Sequence, residues 1–288
     1  MIEVKSTDQA CGALVTGIDF SAPLDAASIR AVRAAWMQHH VLAFPGQDLT
    51  DTDLERVTAS FGALGTEPYF LPIEGSDHVV ALVRKADEQA PVFAENWHSD
   101  WSFLERPPIG TCLYSLVIPP VGGDTGFINQ QLALARMPAS LRNRIEGRRA
   151  LHSAAAAYSP EGMYGEKEKD SDRSIKIVYS ESAREVRSHS LVFTHPESGC
   201  ESLMGCLGYI VGIEGMEDSE ALELLLELHQ WQTREEFQYT HQWQEGMLVI
   251  WDNRSVLHRA YGGYDGYHRE LRRTTIAPDP EKFLRPGE

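Results

Sequence analysis

The chain has 288 residues, of which 42% are hydrophobic and 24% are charged, so it can build a sizeable core without disulfides or a structural metal. Its formal net charge of −16 argues against a nucleic-acid surface or an anionic membrane, and it makes any local group of arginines informative. The 4 cysteines include no CxxC pair, and neither a signal peptide nor an apolar run long enough to span a membrane is evident. We therefore expect a cytoplasmic protein with a single domain over residues 1–288.

The N-terminal part of the chain predicts a small α/β segment. Residues 13–18 and 41–44 have the apolar character of short strands, and the second is followed by a Pro-Gly turn. Residues 26–38 place apolar side chains at helical spacing. Thr50 or Asp51 is a suitable cap for a second helix, which we expect to end at Phe61.

Beyond residue 78, short apolar runs alternate with turn residues, a pattern typical of a β-sandwich or barrel. One strong helix interrupts them, because a leucine-rich segment ending near Trp231 follows a capping signal at Asp218 and Ser219. The fold class is therefore predicted to be mainly β with flanking helices (α+β). The expected strands are 79–83, 111–118, 175–179, 190–194, 237–243, 247–251 and 272–276.

Residues 156–174 are polar and contain proline, glycine and a run of charges, so we expect a long loop. Long loops in compact domains are often functional. The segment is therefore either a solvated loop or a lid over a site, and the sequence leaves both possibilities open.

A metal site is suggested by His98 and Asp100. Residues i and i+2 of an extended segment point to the same side, so the imidazole and the carboxylate would face one point. They would supply two of the three ligands of a 2-His-1-carboxylate triad, which leaves coordination positions free for a cosubstrate and dioxygen. An HxD pair alone is a weak signal, since two surface residues would give the same pattern. His258 follows a predicted strand and an Asp-Asn turn, but a lone histidine is more often structural.

Three arginines fall in the segment 269–273. In a strand, Arg269 and Arg273 would face one side and Arg272 the other. Two inward arginines require anions, and a guanidinium binds a carboxylate or sulfonate through two nitrogens. The alternative is an exposed basic strand. A glycine-rich turn before Thr125 would present a hydroxyl that could donate to a carboxylate, although a plain turn explains the same residues.

Four stretches, taken in order, resemble the taurine dioxygenase / 2,4-dichlorophenoxyacetate dioxygenase family of Fe(II)- and 2-oxoglutarate-dependent enzymes. The resemblance covers nearly the whole chain and implies a double-stranded β-helix (jelly roll). It also implies hydroxylation of a small anionic substrate, aryloxyalkanoate-like or sulfonate-like, with O2 consumed and succinate and CO2 released. The stretches are WHSDWSF (97–103), GGDTGF (122–127), WDNRSVLHR (251–259) and RELRRTTI (269–276).

The resemblance also implies roles for individual residues. His98, Asp100 and His258 would bind Fe(II). Thr125 and Arg269 would hold the distal carboxylate of 2-oxoglutarate. The remaining roles concern the substrate: Arg273 would lie near its anionic group or assist the cosubstrate, and Asn96 and Trp101 match positions near it.

The substrate is less well defined. Taurine-cleaving members carry a histidine and a tyrosine where this chain has Glu67 and Phe70, which argues against taurine and favours an aryloxypropionate-like compound. Phe70, Trp101 and Phe103 would form an aromatic wall of the substrate site, or they are ordinary core. Relatives often form dimers or tetramers, so a homo-oligomer is expected.

Two other functions fit parts of the pattern. A His/Asp/His site can hold zinc and act as a hydrolase, and a catalytically silent binding protein can keep the fold. Thr125 and Arg269 argue against the hydrolase, which has no need of them, and no ligand of the triad is missing.

Overall fold

The computed structural model describes residues 2–168 and 171–279. Its strands, in chain order, are β1 (Glu3–Ser6), β2 (Ala13–Thr16), β3 (Val41–Phe44), β4 (Val80–Arg84), β5 (Gly110–Val117), β6 (Thr125–Asn129), β7 (Arg149–Ser153), β8 (Val186–Ser190), β9 (Val192–Thr194), β10 (Glu201–Leu203), β11 (Ile210–Ile213), β12 (Gln238–His241), β13 (Leu248–Asp252), β14 (Val256–Ala260) and β15 (Arg269–Ile276). The α-helices are α1 (Ala26–His39), α2 (Asp51–Ala59), α3 (Gln130–Ala135), α4 (Ala139–Ile145), α5 (Ala155–Tyr158) and α6 (Asp218–Gln232). Single 3₁₀ turns occupy Glu166–Glu168, Glu181–Arg184 and Glu235–Phe237.

Two sheets form the body of the molecule. Within the described residues, the larger sheet has 7 strands in the order β1-β2-β3-β13-β5-β15-β4, and a 3-stranded sheet has the order β12-β6-β14. All pairs in both sheets are antiparallel except β2 with β3. These sheets are the two layers of the predicted jelly roll. The remaining strands form a sheet β11-β7-β8 and the pair β10-β9.

Strand β13 shows how alternation divides the core. Leu248 and Ile250 face the helices α1 and α2, whereas Val249 and Trp251 face the space between the two sheets. All four side chains are buried, so the strand is sandwiched between apolar layers. The inter-sheet layer also holds Phe127 of β6, and it is this layer that borders the pocket described below.

The predicted N-terminal helices are confirmed, and their ends have local causes. The Asp25 side chain accepts a hydrogen bond from the Ser28 amide at the start of α1, and Thr50 with Asp53 forms a capping box on α2. The predicted leucine-rich helix is present as α6, but it begins at Asp218, and its N-cap Glu217 makes no side-chain capping bond. The expected capping by Asp218 and Ser219 is therefore wrong, since both are already helical.

Several strand predictions need correction. Residues 175–179 form no strand; only Ile177 makes an isolated bridge, to Phe70, because this segment packs against a buried aromatic cluster instead of a ladder. The expected strand 190–194 is interrupted at Leu191, which separates β8 from β9. The predicted loop 156–174 is not wholly irregular, because it starts within α5 and contains the turn Glu166–Glu168; residues 169–170 lie outside the described part. None of the described helices has the length and apolar character needed to cross a membrane.

Candidate active site

His98 and His258 are tied together through their backbones. The His98 amide donates to the His258 carbonyl (3.0 Å), and the His258 amide donates to the His98 carbonyl (2.8 Å). This isolated antiparallel bridge sets the two imidazoles side by side, with ring centroids 4.2 Å apart. Strand β14 fixes His258 opposite Phe127 of β6, so the second histidine is held by a regular sheet.

Asp100 completes a group of three potential ligands. Its Oδ1 lies 3.8 Å from Nε2 of His98 and 3.6 Å from Nε2 of His258. One ligand atom from each of the three residues lies within 4.8 Å of the others. The side chains are 12%, 4% and 7% exposed for His98, Asp100 and His258, so such a site would be largely shielded from water. Two nitrogens and one carboxylate oxygen are a donor set suited to ferrous iron.

The protonation states suit a metal ligand. Nδ1 of His98 lies 2.8 Å from the Asn96 carbonyl, which accepts a hydrogen bond from the Nδ1–H and so leaves Nε2 free to coordinate. Burial lowers the pKa of both His98 and His258, and this favours the neutral imidazole. Burial opposes ionisation of Asp100, but the neighbouring Arg273 and the two histidines hold its pKa below the ordinary value.

A hydrogen-bonded chain orients the Asp100 carboxylate. Thr111 donates its hydroxyl to Asp100 Oδ2 (2.6 Å), and Asn253 donates its side-chain amide to Thr111 (2.9 Å). Trp251 in turn donates to Asn253 Oδ1 (2.9 Å). Sequence reasoning missed Thr111 and Asn253. Asn253 lies in one of the family-like stretches, whereas nothing in the sequence near Thr111 marks it.

Arg273 bridges Asp100 and a second buried carboxylate. Its Nη1 donates to Asp100 Oδ1 (3.0 Å), and its Nε donates to Glu67 Oε1 (3.3 Å). Glu67 also accepts from the Trp101 indole (2.9 Å). Burial raises the pKa of Glu67, whereas the Arg273 guanidinium and the indole favour its ionised form. Because Arg273 Nη2 is buried and has no hydrogen-bond partner in the described structure, one corner of the guanidinium remains available.

Arg269 is buried in a different way. Its Nη2 donates to the Gly123 carbonyl (3.1 Å), its Nε has no partner, and no described carboxylate forms an ion pair with it. The guanidinium lies between two rings, 6.0 Å from the centroid of Trp243 and 5.8 Å from that of Tyr264. Burial lowers its pKa, so the charge is poorly compensated by the protein itself. The prediction that Arg269 and Arg273 face inward and Arg272 outward is confirmed.

Thr125 is prepared to donate a hydrogen bond. Its Oγ1 accepts from the Trp243 indole (2.9 Å), so the hydroxyl proton remains available to another acceptor. Gly123 has φ +73°, and a Cβ at this position would lie 3.1 Å from Arg269 Nε. The glycine-rich turn therefore lets the backbone approach the arginine. Trp243 was not singled out from the sequence, because its role depends on the pairing of distant strands.

One pocket connects these groups. It is bordered by the two triad histidines, by Thr125 and by both inward arginines. The remaining lining residues include Arg84, Glu88, Phe93, Leu113, Ile175, Trp251 and Tyr264. The end of the 156–174 segment is fixed beside this pocket, because Ser174 donates its amide to Glu88 and Asp172 accepts from the Gln89 and Ala90 amides.

Apart from Arg273, the residues predicted to lie near the substrate do not line this pocket. Phe70, Trp101 and Phe103 are 3%, 2% and 5% exposed and belong to a buried aromatic cluster behind Arg273, not to the residues that line the pocket. Asn96 is exposed and contributes its carbonyl to His98. The structure thus places these side chains behind or beside the site, and their contact with a substrate stays a prediction.

The family model described as taurine catabolism dioxygenase TauD, TfdA family matches residues 3–275. The chain belongs to this family. It is accordingly a 2-oxoglutarate-dependent dioxygenase with a jelly-roll fold, as the sequence predicted, and the hydrolase and silent-binder alternatives lose their support. The family implies 2-oxoglutarate (α-ketoglutarate), O2 and iron, and the His98, Asp100 and His258 side chains fit such an ion.

Individual relatives cover almost the full chain. An alkylsulfatase of Acinetobacter baylyi is 33% identical over 278 residues, which is 96% of this chain and 85% of the relative. An (S)-phenoxypropionate/α-ketoglutarate dioxygenase of Delftia acidovorans is 31% identical, covering 90% of this chain and 89% of the relative. A crystal structure of a taurine dioxygenase from Burkholderia xenovorans superposes with a TM-score of 0.79 at 29% identity, covering 98% of this chain and 92% of that one.

Proposed function

We propose that this protein hydroxylates a small organic anion, with His98, Asp100 and His258 holding Fe(II) and with 2-oxoglutarate and O2 as cosubstrates. The observation that carries the proposal is the convergence of the three ligand atoms within 4.8 Å in a shielded pocket that also contains Arg269, which forms no ion pair within the described part of the chain. A buried metal site and a buried uncompensated cation in one pocket match a cosubstrate that chelates a metal and carries a second carboxylate.

Arg269 and Thr125 would bind the distal carboxylate of 2-oxoglutarate. Arg269 has a free Nε and lacks an ion pair among the described residues, so a ligand carboxylate would supply the missing negative charge. The Thr125 hydroxyl would add a second donor, since its lone pair is already engaged by Trp243. The rings of Trp243 and Tyr264 keep the guanidinium in place before the ligand arrives.

Bound Fe(II) would supply the oxidative chemistry, in which 2-oxoglutarate is decarboxylated to succinate and the substrate is hydroxylated. The chain's own residues bind, orient and exclude water. The backbone bridge between His98 and His258 and the Thr111–Asp100 hydrogen bond fix the ligand positions. Leu113 and Trp251 line the same pocket and make its wall apolar, so little bulk water would reach the reacting groups.

The substrate would be a small anionic molecule of the kind named for the relatives, such as an aryloxyalkanoate or a sulfate ester. The pocket offers Phe93 and Ile175 for an apolar part and Arg273 for a polar group. A single domain over residues 1–288, a cytoplasmic location and assembly as a dimer or tetramer remain predictions from the sequence.

The test is anaerobic addition of Fe(II) and 2-oxoglutarate to the apoprotein, followed by visible absorption spectroscopy. A weak charge-transfer band of the chelate is expected, and His98→Ala should remove it. His268→Ala is the matched control, because this histidine is 39% exposed and pairs with the surface carboxylate of Glu270, so the band should persist. A wild-type protein that gives no band would contradict the proposal. If the band forms, sulfonates, sulfate esters and aryloxyalkanoates are then compared by succinate release.

A further inference from the structure

Arg273 is the polar group that the pocket offers nearest the triad, and the protein already holds it from two sides. Asp100 and Glu67 accept from two of its nitrogens at 3.0 and 3.3 Å. The three side chains are 5%, 4% and 1% exposed for Arg273, Asp100 and Glu67. Their mutual attraction is therefore only weakly screened by solvent.

These contacts determine what the pocket can still receive from Arg273. A guanidinium selects a carboxylate or sulfonate most strongly by donating two parallel hydrogen bonds. Among the described residues, Glu67 and Asp100 already engage Nε and one N–H of Nη1, whereas Nη2 has no partner. Nη2 can donate to a carbonyl, ether or sulfonyl oxygen as well as to a carboxylate or sulfonate.

The local charge points the same way. Two carboxylates face one guanidinium, and Glu67 lies on the side away from the pocket, where Trp101 holds it. If a divalent metal and one chelating carboxylate are added, the formal charges of the whole group cancel. Without Glu67, one positive charge would remain beside the space that a substrate enters.

We propose that Glu67 is a positioning residue that sets the specificity of this subsite: by neutralising Arg273 it lets the subsite accept a neutral hydrogen-bond acceptor about as well as an anion. This inference rests on the proposed function. An anionic substrate is still bound, but its charge adds little affinity at Arg273. The substrate range would accordingly include amides, esters or sulfonamides that match the shape of the anions.

The test measures binding to the protein loaded anaerobically with Fe(II) and saturated with 2-oxoglutarate, so that Arg269 is already occupied. Two pairs of probes differ by one charge at nearly constant shape: phenoxyacetate with 2-phenoxyacetamide, and butane-1-sulfonate with butane-1-sulfonamide. By titration calorimetry, the wild type should bind the members of each pair within about threefold of each other. Glu67→Gln should bind the anions at least about tenfold more tightly and change the amides by less than about threefold.

Two controls separate this role from a general effect. Gln can still accept the Trp101 hydrogen bond, so thermal unfolding of the variant should stay close to that of the wild type. Glu88→Gln removes another buried carboxylate from the same pocket, one that contacts Arg84 and not Arg273, and the anion-to-amide ratio should not move. An equal change of the anion-to-amide affinity ratio in Glu67→Gln and Glu88→Gln would overturn the assignment to Glu67.

The remaining outcomes are also decisive. If the wild type prefers the anions by about tenfold, that result alone overturns the proposal. The proposal also fails if the Glu67→Gln variant gains no affinity for the anion of either pair. The 2-oxoglutarate titration that precedes each run tests the proposed function separately. No binding there contradicts the proposed function, whereas normal 2-oxoglutarate binding without an anion gain contradicts only the role of Glu67.

Discussion

The two buried arginines of strand β15 differ in a way that distinguishes the two ends of the pocket. Arg273 donates to Asp100 and Glu67, whereas Arg269 forms no ion pair with any described residue and donates only to a backbone carbonyl. They are four positions apart on one strand and face the same side. The same residue type therefore serves as an internal counter-ion at one end and as an open cation at the other.

The difference separates a buried charge that is paired within the described chain from one that we propose to pair with a ligand. A charge removed from water must be paired, and a pair formed within the chain stabilises that arrangement only while both partners remain. Arg269 has no such partner among residues 2–168 and 171–279, so the protein pays a desolvation cost there that a bound carboxylate would offset. Four experiments test this division, from the largest expected effect to the smallest.

Asp100→Ala should have the largest effect, because it removes a metal ligand and one partner of Arg273 together. Turnover, measured as succinate release, should fall by at least about a thousandfold. Asp265→Ala is the control, since that carboxylate is 88% exposed, and its turnover should match the wild type. A folded Asp100→Ala protein that keeps its turnover would refute the triad.

Arg273→Met should destabilise the metal-free protein by roughly 3–5 kcal/mol, because Glu67 and Asp100 would face each other without a cation. Arg269→Met should leave the free energy of unfolding unchanged or higher, because an unpaired charge is replaced by an apolar chain of similar length. Urea unfolding of both variants measures the contrast. Equal losses of the free energy of unfolding in the two variants would contradict the proposed difference between the two arginines.

Arg269→Gln should raise the 2-oxoglutarate KM about 10- to 100-fold, which corresponds to losing a charge-assisted hydrogen bond. Arg272→Gln is the matched control on the opposite face of the strand, where the arginine pairs with Asp51 and Glu270. Its KM should not change. An unaltered KM in the Arg269 variant would place the distal carboxylate somewhere else.

Trp243→Phe should have the smallest effect. It removes the donor to Thr125 and so lets the hydroxyl turn away from the cosubstrate, which should raise the 2-oxoglutarate KM about 3- to 10-fold. Trp231→Phe serves for comparison, because that indole donates to the Ala133 carbonyl, far from the pocket. If both variants have the same KM, Thr125 does not depend on Trp243.

The sequence was informative where local order decides the structure. The apolar run 247–251 predicted a strand, and the alternation in 269–273 predicted correctly which arginines turn inward. His98 and Asp100 were recognised because a two-residue spacing brings side chains to one side of an extended segment. The structure brings them to His258, although no residue spacing could have given that distance.

The rest depended on pairing between distant parts of the chain. Glu67 reaches Arg273 across 206 positions, and Thr111 is joined to Asn253 across 142. No local pattern encodes such contacts. The segment 175–179 has the composition of a strand, but it packs against an aromatic cluster and makes only an isolated bridge among the described residues. Its apolar residues were recognised correctly, and their partners were not.

The backbone bridge between His98 and His258 has a consequence for exchange of the ion. The two imidazoles are spaced by amide–carbonyl bonds that need no ion, although the two residues lie 160 positions apart in the chain. Removal of the ion by a chelator should therefore leave the site intact, and the ion should rebind in one bimolecular step without a folding phase. Protein that lacks its ion would then stay folded and become active when free iron is supplied.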